Sequence, residues 1–237
     1  MPLHIQSVNN PLIKDMTKLH QKKHRDATGL FLVEGYHLHE EATKVGNVVH
    51  VFTTDESIRG DNVVTVTPQV LAKLAQTKNP QPVITICRKI EGAAVGHRVL
   101  LLERVQDPGN LGTLMRSALA FGFDTIVLDN TCDIYNDKVL RSTQGAIFRL
   151  NVLHQSIATF MEEHSELTFY GTAMEGTPLD DIDPALRIGL ILGNEGSGVS
   201  SEVLAKTTLN LTISMHHTES LNVAVAGSII MHHLALK

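Results

Sequence analysis

Beyond residue 98 the chain is a series of short, unbroken apolar runs separated by stretches of helical period. Val99 to Leu102, Thr125 to Leu128, "LTFYGTA", "RIGLILG" and "TLNLTIS" read as strands. Runs this short and this continuously apolar belong in a sheet buried on both faces. The stretches between them predict helices over Asn110 to Phe121, Lys138 to Thr143, Ile157 to His164 and Ser220 to Leu236. Such alternation predicts a parallel sheet with helices on both sides.

The first part of the chain has the same alternation in a different texture. "NNPLIKDMTKLHQKKHR" places Pro at a helix start and sets Leu12, Ile13, Met16 and Leu19 in a one-sided stripe, predicting a single helix. "GLFLVEG", "VVHVFTT", "NVVTVT" and "VITICRKI" read as strands, with helices in "YHLHEEATKVG" and "PQVLAKLAQ". The Gly- and Ala-containing "EGAAVGH" then reads as a linker. The expected organisation is a smaller α/β domain over 1–91 and a parallel-sheet α/β domain over 97–237.

Composition bounds this picture without changing it. With 43% hydrophobic and 19% charged residues in 237, the chain is that of an ordinary globular protein. No run approaches a membrane span and "MPLHIQSVNN" lacks the pattern of a signal peptide, so a cytoplasmic location is expected. Cys87 and Cys132 show no metal-site or disulfide spacing and read as free thiols. The net charge of -5 argues against a nucleic-acid partner, but the charge is unevenly spread. Lys14, Lys18, Lys22, Lys23 and Arg25 gather on the polar side of the first expected helix, against Asp15 alone within Lys14 to Arg25.

In an open parallel sheet the loops at the carboxyl ends of strands are where ligands bind. Three loops stand out. In "ERVQDPGNLGTLMRSALAFG", Asp107, Pro108 and Gly109 form a turn, Asn110 is placed to cap a helix, and Arg116 falls off that helix's apolar stripe. A cap and a solvated arginine would account for both residues. In "LILGNEGSGVS" a glycine-spaced turn follows a strand, which suits either a plain turn or close backbone approach to a ligand. In "ISMHHTESLNVAVAGSIIMHHL" a Ser and an Asn open a helix whose body is small and apolar on every side, suggesting burial on all sides or a partner subunit. His216, His217, His232 and His233 do not form a metal site, because neighbouring positions face apart and no carboxylate or cysteine completes a set.

Taken together, "DPGNLGTLMRSALAFG", "LILGNEGSGVS" and "ISMHHTESLNVAVAG" resemble the three ordered motifs of the SpoU-type (TrmH-like) RNA 2'-O-ribose methyltransferases of the SPOUT superfamily. "DNTCDIYNDKVLRSTQGAIFRL" resembles the family's middle segment, and "SVNNPLIKDMTKLHQKKHRDATGLFLVEG" the substrate-binding domain that precedes the enzyme domain in many members. The resemblance implies an S-adenosyl-L-methionine-dependent enzyme, a deep trefoil knot in the C-terminal domain and a homodimer. It places cofactor contacts near Thr172, Leu192, Gly193, Ile213, Met215 and Leu221, and active-site residues at Asn110, Arg116, Glu195, Ser220 and Asn222. RNA contacts are expected at Lys14, Lys18, Lys22, Lys23, Arg25 and Arg141. Arg116 is expected to grip a phosphate rather than act as a base, since a guanidinium stays protonated near neutrality, although a base role stays open. "MHHTES" departs from the family form, being one residue shorter and lacking the glycine expected near His217.

Ribosomal RNA is the expected substrate, by analogy with other chains carrying the extra domain. The alternatives are a transfer-RNA methyltransferase, an RNA-binding protein that kept the fold without turnover, and a pocket for another nucleotide-like ligand.

Overall fold

The computed structural model describes residues 3–90, 92–218 and 220–235. The first elements are β1 (Leu3–Ile5), α1 (Pro11–Thr17), α2 (Lys22–Thr28), β2 (Leu30–Glu34), α3 (Tyr36–Lys44), β3 (His50–Thr53), β4 (Val63–Val66), α4 (Pro68–Leu74) and β5 (Val83–Arg88). Then come β6 (Arg98–Glu103), α5 (Pro108–Ala120), β7 (Thr125–Asp129), α6 (Asp137–Thr143), β8 (Asn151–His154) and α7 (Ile157–Glu163). The last are β9 (Thr168–Pro178), β10 (Ile188–Leu192), α8 (Ser201–Leu204), β11 (Leu209–Thr212) and α9 (Val223–Ala235). Leu236, expected to close the final helix, lies outside the described residues.

The chain forms two compact units, and they are not successive in sequence. One runs to Ile90 and takes in Asp133–Phe148; the other holds the residues between Ile90 and Asp133 and those from Arg149 onward. The segment containing α6, expected in the second domain, therefore packs with the first. Its anchor is aromatic and charged: Tyr135 lies 4.7 Å from Phe31 by ring centroid, and its hydroxyl accepts from the Ile90 N–H at 3.1 Å.

The first unit is a five-stranded mixed sheet in the order β1-β4-β3-β5-β2. Pairing is parallel among β1, β4 and β3, and antiparallel where β5 meets β3 and β2. Ile13, Leu19, Phe52, Leu74 and Ile84 fill its core. The Asn10 side chain caps α1 by accepting from the Leu12 N–H, with Pro11 following. The single basic helix expected here is interrupted at Gln21, whose backbone is extended at φ -99° and ψ 130°. That break turns Arg25 inward, where it is 5% exposed. Its Nη1 donates to the carbonyls of Leu19 at 2.7 Å and His20 at 2.9 Å, and its Nη2 to the Asp133 carboxylate. Arg25 is thus a buried structural cation, which corrects its expected role as an RNA contact.

The second unit is a six-stranded sheet in the order β11-β9-β10-β6-β7-β8, parallel throughout. From the central β6 the chain steps outward to β7 and β8, then crosses to the other side, where β10 inserts between β9 and β6. The strand order therefore reverses between β6 and β10, and the crevice at such a point is where ligands bind in open α/β sheets. Both faces are covered: Leu101 and Ile191 pack with Ile157 and Phe160 of α7, while adjacent residues on a strand point oppositely. Leu192 accordingly meets Gly227 of α9, where any Cβ would press on Leu192 and Leu114. The hydroxyls of Ser117 on α5 and Ser228 on α9 lie 2.8 Å apart, joining the two helices. Within the single chain α9 buries Ala224, Gly227, Ile230, Met231 and Leu234 and leaves Val225 and Ile229 49% and 41% exposed, so the fold itself does not cover this helix on every side.

Candidate functional site

The loop leaving β6 is shaped by an Asp-Pro pair. Asp107, not Asn110, caps α5: its carboxylate accepts from the Asn110 N–H at 2.8 Å, and Pro108 occupies the first helical turn, where no N–H is needed. The Asn110 side chain is released for other work. Its Nδ2 donates to Glu195 Oε1 at 3.2 Å, and its Oδ1 accepts from Asn222 Nδ2 at 2.9 Å. Asn222 in turn caps α9 through Oδ1, which accepts from the N–H of Ala224 at 2.9 Å and of Val225 at 3.3 Å. One side-chain chain therefore links the three loops singled out in the sequence.

Glu195 is the hub of the loop leaving β10. It also accepts from the backbone N–H of Asp107 at 2.9 Å and of Gln106 at 3.3 Å. Burial pushes its carboxyl upward, but the N–H of Asp107, its own N–H, the Asn110 amide and the Gln106 N–H outweigh that and hold it below the usual carboxylate range. The loop closes on itself through paired backbone bonds between Asn194 and Gly198. Gly193 lies so close to the backbone of Gly198 and Val199 that a Cβ has no room. At the far end the buried carboxylate of Glu103 accepts from the Ser200 N–H at 2.7 Å.

A cavity of about 310 Å³ opens at the carboxyl ends of β10 and β11 and beside Thr172, Ala173 and Met174 in the middle of β9. Thr172, Leu192, Gly193, Ile213, Met215 and Leu221 all line it, as do Glu195 and Ser220. Thr172 is fixed by donating its hydroxyl to the Ile191 carbonyl at 3.0 Å. Val223, Ala226 and Ile230 of α9 complete an apolar wall, although the pattern of this helix alone points only to packing. Their apolar character was the available signal, because a wall against a ligand and a helix face against a sheet both require it.

The remaining expected residues are placed less centrally. Arg116 stands exposed on α5, with no hydrogen bond or ion pair among the described residues, and does not join the Glu195–Asn110–Asn222 chain. His217 takes a left-handed φ of 73°, a conformation glycine adopts without cost, which explains why a glycine is expected at this turn. Lys14, Lys18, Lys22 and Lys23 are exposed on α1, α2 and the turn between them. Lys18 pairs with Asp15 at 2.7 Å and Lys22 with Asp26 at 2.6 Å. Hydrogen bonds from Lys22 and Lys89 hold the Asp26 carboxyl down to about 2. Arg141 on α6 pairs with Asp137 at 2.6 Å and is half-buried.

The span carrying the cavity and all three loops, residues 97–232, matches the model of the SpoU rRNA methylase family. The chain belongs to that family. Residues 10–85 match the MRM3-like substrate binding domain. The 23S rRNA (guanosine(2553)-2'-O)-methyltransferase RlmP of Bacillus subtilis is 39% identical over 243 residues, covering 97% of this chain and 98% of that one. An uncharacterised tRNA/rRNA methyltransferase of Synechocystis is 35% identical over 254 residues, with 96% and 92% covered. The AdoMet-bound rRNA methyltransferase from Sinorhizobium meliloti superposes with a TM-score of 0.87 at 28% identity, covering 98% of this chain and 96% of that one. As a SpoU member the chain is an S-adenosylmethionine-dependent RNA 2'-O-methyltransferase. The cavity suits that cofactor: its volume falls within the range of small-ligand sites, its walls are largely apolar, and Gly193 bares backbone at its rim.

Proposed function

We propose that the protein methylates the ribose 2'-hydroxyl of a guanosine in 23S ribosomal RNA. The observation that carries this reading is that Glu195 belongs both to the cavity wall and to the hydrogen-bonded chain through Asn110 to Asn222. The likeness to RlmP over nearly the whole chain supports the choice of RNA and nucleoside.

Thr172, Leu192, Gly193, Ile213, Met215 and Leu221 would hold the cofactor. S-adenosylmethionine supplies an activated sulfonium methyl when bound. The chain's own task is then to hold the 2'-hydroxyl in line and to ease loss of its proton. Glu195, Asn110 and Asn222 fix the three loops against one another, and Ser220 at the cavity wall orients the ribose. Arg116, with its guanidinium unpaired among the described residues, grips the adjacent phosphate in a bidentate manner and lowers the pKa of the hydroxyl electrostatically.

The first unit receives the RNA through Lys14, Lys18, Lys22 and Lys23, with Arg141 adding to its charge. Homodimer formation is supported by Val225 and Ile229, an exposed apolar pair one helical turn apart on α9. The knotted arrangement of the second unit and a cytoplasmic site of action rest on family membership and on the ribosomal substrate. Mapping 2'-O-methyl groups in RNA from a strain lacking the protein tests the assignment. Loss of one guanosine mark in 23S rRNA is expected, and an unchanged ribosomal map with a lost transfer-RNA mark would redirect it.

A further inference from the structure

Arg104, the residue after β6, stands in a conformation that arginine rarely adopts. Its φ is 55°, in the left-handed region, and both of its backbone groups are fixed there. The Arg104 N–H donates to the Asp129 carbonyl at 2.8 Å, and its carbonyl accepts from Asn194 Nδ2 at 2.9 Å. Asn194 Nδ2 also lies 3.3 Å from Glu195 Oε2, so one amide separates the Arg104 backbone from the hub of the site. A bulky residue held in this region by its surroundings is a pointer to function, because a glycine would satisfy the turn without strain.

The side chain shows what is being presented. It is 45% exposed, and its only charged partner among the described residues is Glu103, at a long 3.5 Å. No hydrogen bond uses its guanidinium among the described residues, so apart from the pair with Glu103 its N–H donors are unspent. The Glu103 carboxylate is shared, Oε2 accepting from the Ser200 N–H at 2.7 Å while Oε1 faces one Arg104 nitrogen at 3.5 Å, so the pair engages one edge of the guanidinium only. In a protein of net charge -5 that must bring polyanionic RNA to this crevice, a half-exposed arginine whose backbone is bonded to the cavity-lining Asn194 is placed to meet phosphate.

We infer that Arg104 is a second RNA-phosphate contact of the active-site crevice, separate from Arg116 and from the lysines of the first unit. This rests on the reading of the protein as a 23S rRNA methyltransferase. The contact positions the RNA and takes no part in holding the cofactor.

The test compares the full-length protein with Arg104→Gly, Arg104→Lys and Arg104→Ala for binding to transcribed 23S rRNA over a series of KCl concentrations. Arg104→Gly is the informative variant, since it removes the cation while relieving the backbone. The expected result is RNA affinity lower by about tenfold, with the slope of log K against log salt reduced by about 0.7 to 0.9. S-adenosylmethionine affinity by calorimetry stays as in the wild type, and Arg104→Lys restores most of the slope. An unchanged affinity and slope in Arg104→Gly, with wild-type protein active on the same transcript, overturns the contact alone. Wild-type protein that neither binds nor methylates the transcript overturns the substrate reading and this inference with it.

Discussion

Asn222 donates through Nδ2 to Asn110 Oδ1 at 2.9 Å, joining residues 112 positions apart in the chain. Each has a second duty, Asn110 on Glu195 and Asn222 at the start of α9. The two substitutions Asn110→Ala and Asn222→Ala should therefore not add. A double-mutant cycle on methyl transfer is expected to show a coupling of about 1 kcal/mol. Additive losses would mean that the two amides act separately.

Glu195 gives a pH dependence of defined sign. Its carboxyl is held below the ordinary carboxylate range in the folded protein, so its contribution to stability is present above the unfolded value, about 4.3, and is lost as the pH falls through the folded one. Thermal unfolding of wild type and Glu195→Gln should show a gap that is constant near neutrality and closes in acid. A gap that widens on acidification would contradict the hydrogen-bond assignments.

Arg25 and the exposed lysines should separate cleanly. Arg25→Ala strands Asp133 in a largely buried setting and is expected to cost about 3 kcal/mol of stability in urea unfolding. Lys14→Ala with Lys23→Ala should leave stability within about 0.5 kcal/mol of wild type while weakening RNA binding and lowering its salt slope. Normal stability in Arg25→Ala would return that residue to the RNA-binding set.

At His217 the left-handed backbone costs about 1 to 2 kcal/mol, part of which glycine gives back through its freer unfolded chain. His217→Gly should raise stability by about 1 kcal/mol, measured by denaturant unfolding. A loss instead would show that the imidazole makes contacts worth more than the strain.

Val99 to Leu102 and Ile188 to Leu192 are buried on both faces, so their uninterrupted apolar letters announced central parallel strands. β1 and β8 gave no such signal: β1 spans Leu3–Ile5 and β8 buries only Val152 among its four residues. α8, four residues long, is too short for any period to show. Asn110 has the residue type of a cap, whereas the backbone geometry puts the cap of α5 at Asp107, before Pro108. Neither the inward turn of Arg25 nor the membership of Asp133–Phe148 in the first unit could be read locally, since both depend on a contact between residues 108 positions apart. The cavity residues were located by family likeness, and no periodicity along β9 or β11 would have singled out Thr172 or Ile213.

Methyl transfer to an RNA ribose in this crevice, with Arg116 on the adjacent phosphate, makes a single prediction. Labelled S-adenosylmethionine is incubated with transcribed 23S rRNA and the protein, with Arg116→Ala in parallel. The expected result is label at one guanosine 2'-oxygen with wild type and a rate lower by at least about 100-fold with Arg116→Ala, at unchanged cofactor affinity. Label on a base, or an Arg116→Ala variant as fast as wild type, would contradict it.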